Sequence, residues 1–244
     1  MKVLKEIIST LKNAKIHEVR TCVRWTAVVS EIGYGLASTL QNKSHCDDPE
    51  KLVRNCGALT NKSGLELAEY VFSDNLLEAS IGMATINSLI QIDNSKVLKE
   101  DILEILHDKI ENKNITMIGH FPIVKKLKEL AKNLWIIEQN PSEGDLNVEE
   151  GKKVIPKSDL VIITGTSLIN HTFMNILDLC NKDSYKVLLG PSTPISPILF
   201  EYGINMISGI KIVDIDKVFH YIGQGASFKQ IKGVEKISLH NLLY

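Results

Sequence analysis

Apolar residues at Val3, Leu4, Ile7, Ile8 and Leu11 recur at helical spacing, so the chain opens with an amphipathic helix that runs out near Asn13. From His17 to Ser30 the pattern changes. Val19, Thr21, Val23, Trp25, Val28 and Val29 are β-branched or aromatic, which predicts two strands joined near Arg24 or Trp25. Gly33 to Asp48 shows neither period and reads as a loop. Helical spacing returns in Gly64 to Phe72 and in Leu76 to Ile90, where Ala79, Ser80, Gly82 and Ala84 would allow close packing on a neighbour. Strands followed by helices give the first hundred residues an α+β character.

Beyond the polar stretch Gln91 to Lys99, short apolar strands alternate with helices, the sign of βαβ units and a parallel sheet. A boundary there divides the chain into 1–99 and 100–244. Strands are expected at Ile115–Ile118, Leu134–Glu138, Leu160–Thr164 and Lys186–Leu189, with weaker ones at Ile204–Ile207 and Ile210–Val213. Pro122 suits the first position of a helix carrying Val124, Leu127, Leu130 and Ala131. Asn170 is expected to cap a helix running to Cys180, and Ser196 one from Pro197 to Tyr202.

With 244 residues, 44% hydrophobic and 23% charged, the chain has material for a sizeable core, which excludes a disulfide miniprotein or a disordered tail. Its formal charge of -1 provides no global field toward nucleic acid or anionic lipid. No apolar run approaches the roughly 20 residues that cross a bilayer, and charges interrupt the N-terminal apolar pattern, so a cytoplasmic protein without a signal peptide is expected. Cys22, Cys46, Cys56 and Cys180 contain no CxxC pair, and reduced thiols are the expectation.

In an open parallel sheet, ligands bind beyond the carboxyl ends of the strands, so the residues after each strand carry the chemistry. The first strand of the second half runs into Gly119-His120-Phe121-Pro122, a turn that allows a sharp bend and a helix start that offers N–H groups to an anion. Glu138 follows the second strand, 19 residues past Gly119, near the spacing at which dinucleotide folds place an acid on a ribose hydroxyl. The turn is not GxGxxG, and a buried strand end with a solvated glutamate explains the same residues. After the third strand come Thr164, Gly165, Thr166 and Ser167, then Asn170, His171 and Thr172; helix capping accounts for one or two of these polar groups but not for all. After the fourth, Gly190, Pro191, Ser192, Thr193 and Pro194 form a rigid turn that either presents two hydroxyls to a ligand or is purely structural.

Metal ligation is suggested locally only by His45-Cys46-Asp47-Asp48, with Cys56 ten residues beyond Cys46; a site assembled across the fold would draw on His120, Glu138, Asp145 or His171. No P-loop, GxSxG elbow, HExxH or EF-hand loop is present. Lys125, Lys126, Lys128 and Lys132 alternate with apolar residues as a solvent-facing helix side does, and without interleaved aromatics they do not predict nucleic-acid binding.

Four segments together carry a family resemblance: IGHFPIV at 118–124, IIEQNP at 136–141 with Gly144-Asp145, SDLVIITGTSLINHT at 158–172, and LLGPSTP at 188–194. With RWTAVV at 24–29, YGLAS at 34–38 and LLEASIGMATINSL at 76–89, the chain resembles the putative heavy-metal chelation family over nearly its whole length. The resemblance implies an α/β protein: a small α+β domain similar to the amino-terminal domain of enolase, then a Rossmann-like, doubly wound parallel-sheet domain, with the site in the cleft between them. Enolase chemistry is not implied by a shared capping domain. The positions it points to are Gly119, His120, Phe121, Glu138, Asp145, Thr164, Gly165, Thr166, Asn170, Thr172, Pro191, Ser192 and Thr193, with Asn87 from the first domain either in the cleft or as a tie between the domains.

Two classes of function follow. One is binding of a small polar ligand, a transition metal or metal chelate, with hard oxygen donors favouring iron or similar ions. The other is an enzyme using a nucleotide-like cofactor, S-adenosylmethionine or NAD, with Glu138 on the ribose hydroxyls. His120, if close to Glu138 or Asp145, would serve as a general base or proton donor, since an imidazole titrates near neutral pH. The expected partners are a small molecule or metal chelate, no nucleic acid and no membrane; a homodimer is assumed.

Overall fold

The apolar stripe at the start of the chain forms helix α1 (Lys2–Ser9), with Val3, Leu4, Ile7 and Ile8 all buried. The computed structural model describes residues 1–42 and 52–244. Three strands follow, β1 (Ile16–Thr21), β2 (Trp25–Ser30) and β3 (Tyr34–Ser38), paired antiparallel in that order. The third falls where a loop was expected. Its sequence, YGLAS, is poor in the β-branched and aromatic residues that announce strands. It is a strand because of what lies behind it: a Cβ on Gly35 would collide with the carbonyl oxygen of Ala84, so only glycine lets this strand lie so close to the helix beneath.

That helix is α3 (Leu76–Leu89), preceded by α2 (Gly64–Ala68) and a 3-10 turn at Glu69–Phe72. Both starts follow their sequence signals: Ser63 and Glu66 form a reciprocal capping box on α2, and the Asn75 side chain accepts from the backbone of Leu77 and Glu78 on α3. The anticipated close packing occurs at Gly82, where a Cβ would strike the backbone of Val71.

Short helices α4 (Ile102–Ile105) and α5 (His107–Ile110) lead into the second sheet. It is built in chain order from β4 (Asn114–Ile118), α6 (Val124–Leu130), β5 (Asn133–Ile137), α7 (Val148–Val154), β6 (Leu160–Thr164), α8 (Thr166–Ile169), α9 (Phe173–Leu179), β7 (Tyr185–Leu189), α10 (Ile198–Glu201), β8 (Met206–Ile212), α11 (Ile215–Gly223) and β9 (Val234–His240). The strand order is β5-β4-β6-β7-β8-β9, parallel except for β9, which runs antiparallel to β8. Only one strand lies outside β4, so the order is that of the flavodoxin-like variant of the doubly wound fold, and the chain reverses direction across the sheet between β4 and β6.

The four main strands lie within a residue of expectation. The two weaker ones are one strand, β8, whose Ser208-Gly209 looked like a break; Ser208 instead meets Ser238 across the ladder at 3.0 Å, and Gly209 makes room for Ile195. The helix expected from Asn170 to Cys180 is α9, which starts only at Phe173, and a separate short helix, α8, precedes Asn170. Asn170 does not cap the start of α9 but holds the break, accepting from the Thr172 hydroxyl at 2.7 Å, while His171 takes a left-handed φ of 62°. Ser196 contributes no side-chain cap to α10, whose N-cap is Pro197. Pattern reading missed α4, α5, α7, α8, α11 and β9 altogether.

The strands alternate faces as burial on both sides requires. Ile115, Met117, Leu160, Ile162, Val187 and Met206 pack with Leu106, Ile110 and Leu127 under α4 to α6. On the opposite face, Val161, Ile163, Leu188 and Ile207 join Leu168, Phe173 and Leu199, and this core continues without interruption into α1, α2 and α3. The small sheet is likewise covered twice, by α3 on one side and by Val218, Phe219 and Ile222 of α11 against Trp25, Ala27 and Leu36 on the other. Among the described residues no helix is long and apolar enough to cross a membrane.

Candidate functional site

The reversal between β4 and β6 opens a crevice at the carboxyl ends of the strands, and four turns project into it. Gly119 (φ 94°) and Gly190 (φ 122°) occupy backbone conformations that disfavour side chains, and a Cβ on Gly119 would lie 3.0 Å from that of Thr164. Each turn glycine extends the ladder: Gly119 N–H donates to Ile137, Gly165 N–H to Leu189 and Gly190 N–H to Ser208. The Gly119 N–H is therefore committed to the sheet and is not free for an anion. The turns together enclose a cavity of about 660 Å³.

Gly119, His120, Phe121, Glu138, Thr164, Gly165, Thr166, Asn170, Thr172, Pro191 and Ser192 line this cavity. Asp145 stands behind His120, with its Oδ1 3.8 Å from His120 Nδ1; the Asp145 side chain is 6% exposed and its Oδ2 accepts from the Ser142 N–H, whereas the His120 side chain is 54% exposed. At 3.8 Å the contact is too long for a hydrogen bond, so the carboxylate places a negative charge beside an open imidazole without fastening the ring. Asn87 and Thr193 border a second cavity of about 360 Å³ on the other side of the 190–193 turn. Asn87 Nδ2 donates to the carbonyls of Leu36 and Ser192, and so ties the two halves together. Asn87 Oδ1 and Thr193 Oγ1 are buried without a hydrogen-bond partner among the described residues.

The hydroxyls of the third turn are partly satisfied by one another. Thr164 and Thr166 share a 2.9 Å hydrogen bond, and Ser167 donates to the Thr164 carbonyl. Ser192, buried in the wall, accepts from the Ser38 N–H at 2.8 Å and donates to the Ser38 hydroxyl at 3.1 Å. These bonds make the β6 and β7 side of the cavity stiff.

Sequence reasoning missed the rest of the wall. Trp25, Ser38 and Leu40 come from the first half, Val148 and Lys152 from α7, Asn175, Ile176 and Leu179 from α9, and Phe228 from a 3-10 turn at Phe228–Gln230. Asn175 was legible as one helical turn beyond Thr172. Trp25 was not, because its indole reaches the site only by donating to the Ala226 carbonyl at 2.9 Å and packing on Phe228. The titratable wall residues are His120, Glu138 and Lys152, and Lys152 pairs with Glu149 at 2.7 Å.

Metal donors do not converge. Among the described residues there is no group of three or more His, Cys, Asp or Glu side chains able to hold an ion. His171 is turned to the first half, its Nε2 2.7 Å from the Val71 carbonyl. Burial pushes the Cys180 thiol up to about 11, which keeps it protonated near neutral pH. The His45-Cys46-Asp47-Asp48 cluster lies outside the described residues, and Cys56 is exposed.

These features define an α/β protein of two sheets with a cleft, part apolar and part hydroxyl and amide, at the switch point of the larger one. The chain belongs to the family described as "Putative heavy-metal chelation": one profile of that description, DUF4213, matches residues 4–90, and another, DUF364, matches residues 101–240. The uncharacterised protein MJ0500 of Methanocaldococcus jannaschii is 31% identical, over 72% of this chain and 71% of the relative. Crystal structures of DUF364-family proteins of unknown function from Desulfitobacterium hafniense DCB-2 and Pyrococcus horikoshii share the fold, with TM-scores of 0.82 and 0.81 at 24% identity, each covering 98% of both chains.

Proposed function

We propose that the chain binds a small organic ligand with several polar groups in this cleft, and that metal, where it is handled, arrives already wrapped in that ligand. The observation that carries the reading is the wall: about 660 Å³ between Thr166, Asn170, Thr172 and Asn175 on one hand and Ile137, Ile176, Leu179 and Phe228 on the other, a concave and mostly apolar site with a few converging polar groups. A directly ligated transition ion calls for three or four convergent donors, and His120 with Asp145 supplies one pair; among the described residues the donor set does not fit a naked ion. His120 and Glu138 are the groups that would exchange protons or hydrogen bonds with the ligand. The division into 1–99 and 100–244 belongs to this reading, supported by family profiles that end at 90 and resume at 101.

A second reading, a nucleotide-like cofactor such as S-adenosylmethionine or NAD, is favoured by one observation. The left-handed Gly119 turn and Glu138, at the ends of adjacent strands, line the same cavity. Native mass spectrometry with elemental analysis of the purified protein separates the two. The expected result is a retained organic mass, with any metal in fixed ratio to it, that is lost in Asn175→Trp, whose indole would occupy the cavity. An adenosine-containing mass transfers support to the second reading, and stoichiometric metal without an organic mass defeats the first.

A further inference from the structure

Beside the mouth of the cleft lies a shallow depression of about 550 Å³ that shares His120, Phe121 and Pro122 with the cleft wall. Three lysines border it. Lys125 and Lys128 lie one turn apart on α6, and Lys229 arrives a hundred residues later, in the turn whose Phe228 packs on Trp25 inside the cleft. All three are exposed, none has an ion-pair partner among the described residues, and no carboxylate lines the depression. Four lysines elsewhere are ion-paired, Lys2 with Glu6, Lys99 with Glu235, Lys152 with Glu149 and Lys217 with Asp214, while many other described lysines are not; what sets these three apart is that they converge on one depression. In a chain whose formal charge is -1, three unneutralised ammonium groups from two distant segments are a local excess of positive potential at the entrance to a cavity. A helical solvent face accounts for Lys125 and Lys128 alone; it does not account for Lys229 joining them.

We propose that the cleft's ligand is an organic polyanion, with two or more carboxylate or phosphate groups resting against Lys125, Lys128 and Lys229 and an uncharged body reaching past Phe121 into the cleft. Phe121 suits the seam, since its ring lies against the backbone of both turn glycines, where a Cβ on Gly119 would come within 3.6 Å of it and one on Gly190 within 3.4 Å. The inference rests on the cleft reading above and adds the charge class of what enters. It also explains how a chain with no convergent donor set among its described residues would handle metal: complexes of polycarboxylates are anionic, and lysines grip the outer oxygens of the chelator without competing for the ion.

Calorimetric titration at low salt tests it with four probes, citrate, ferric citrate, adenosine diphosphate and uncharged adenosine. They are applied to the unaltered chain, to Lys125→Glu/Lys128→Glu/Lys229→Glu and to Asn175→Trp. The expected result is saturable binding of at least one anionic probe, weakened by about tenfold or more in the lysine variant, lost in Asn175→Trp, and weakened by added salt. Citrate or its iron complex identifies the carboxylate source, and the diphosphate identifies the phosphate source. Binding abolished by Asn175→Trp but indifferent to the lysine reversal overturns the proposal while leaving the cleft reading intact. Binding lost in the lysine variant and untouched by Asn175→Trp overturns it too, by making the depression an independent anion patch. Adenosine binding as tightly as its diphosphate, or no probe binding at millimolar concentration, does the same. Exposed lysines are not needed for folding, and an unchanged melting temperature of the triple variant confirms that the comparison is of like folds.

Discussion

The two banks of the cleft are built differently. On the β6 and β7 bank, Gly165, Ser192 and Thr193 are buried, and Ser192 is fastened to Ser38 of the small sheet. On the β4 and β5 bank, His120, Gln139 and Asn140 are exposed and Glu138 is half-buried, over helices whose other sides face water. One bank is a fixed wall backed by a core that runs through the whole molecule; the other carries the ionisable groups with little to hold them. Binding sites commonly divide labour this way, since a rigid surface lowers the ordering cost of recognition while adjustable groups follow the ligand.

Substitutions that sharpen this contrast differ widely in size. The largest effect is expected at Gly165, whose φ of -58° suits any residue but whose absent Cβ would lie 2.6 Å from Thr193 Oγ1 and 2.7 Å from Thr193 N. Gly165→Ala should cost about 3 kcal/mol in urea unfolding, because backbone rather than a flexible side-chain tip must yield. Gly144→Ala, in open space on the other bank but at φ 89°, should cost only about 1 kcal/mol. Equal costs would erase the distinction between the banks.

Next comes α3, which backs the fixed wall. Its Glu78 is 2% exposed and accepts from the Arg54 backbone at 2.6 Å and from the Arg54 guanidinium. Burial alone pushes this carboxyl up, but the hydrogen bonds and charge of Arg54 more than reverse it and hold it below the usual carboxylate range. The folded state therefore takes up the proton less readily than the unfolded one. The pair's contribution is complete above the unfolded carboxylate's pKa and is lost as pH falls through the lower folded value. Glu78→Gln should lower stability near neutral pH by about 2 kcal/mol and flatten the loss on acidification, as seen in melting temperature against pH. A parallel acid profile in the two proteins would remove the pair from the account.

Ser192→Ala should cost about 1 kcal/mol, the value of a hydrogen bond whose loss strands the Ser38 N–H. Smallest of all, His120→Ala should leave unfolding within about 0.5 kcal/mol of the unaltered chain while weakening ligand retention. A large stability loss there would make the open bank structural.

The same contrast explains what was legible in the sequence. Strands β4, β6 and β7 announce themselves because both faces of a central parallel strand are buried, giving unbroken apolar runs such as Leu160–Ile163, and edge strand β5 shows by its own apolar run Leu134–Ile137. The turn residues that follow them could then be found by position alone. Strand β3 was hidden because its signal lies in another element, the small residues of α3, and not in its own composition. The Ser208-Gly209 pair split β8 for a similar reason, since cross-strand pairing and not apolar content carries the strand there. Trp25 and Phe228 reach the cleft from segments whose approach is set by tertiary packing, which no local period encodes. Lys229 escaped notice because a lone lysine in a turn acquires meaning only beside α6.

The uninterrupted core has a consequence for biosynthesis. Helix α1 precedes the rest of this fold in synthesis, yet its Glu6 bonds to Tyr202, 196 residues later, and the Trp25 indole finds its acceptor 201 residues downstream at Ala226. The amino-terminal half thus leaves the ribosome with its apolar faces uncovered and waits for the last quarter of the chain. Contacts of such long sequence separation slow folding and prolong exposure of unpaired strand edges. Synthesis of this protein should accordingly be more sensitive to chaperone supply during translation than its length suggests.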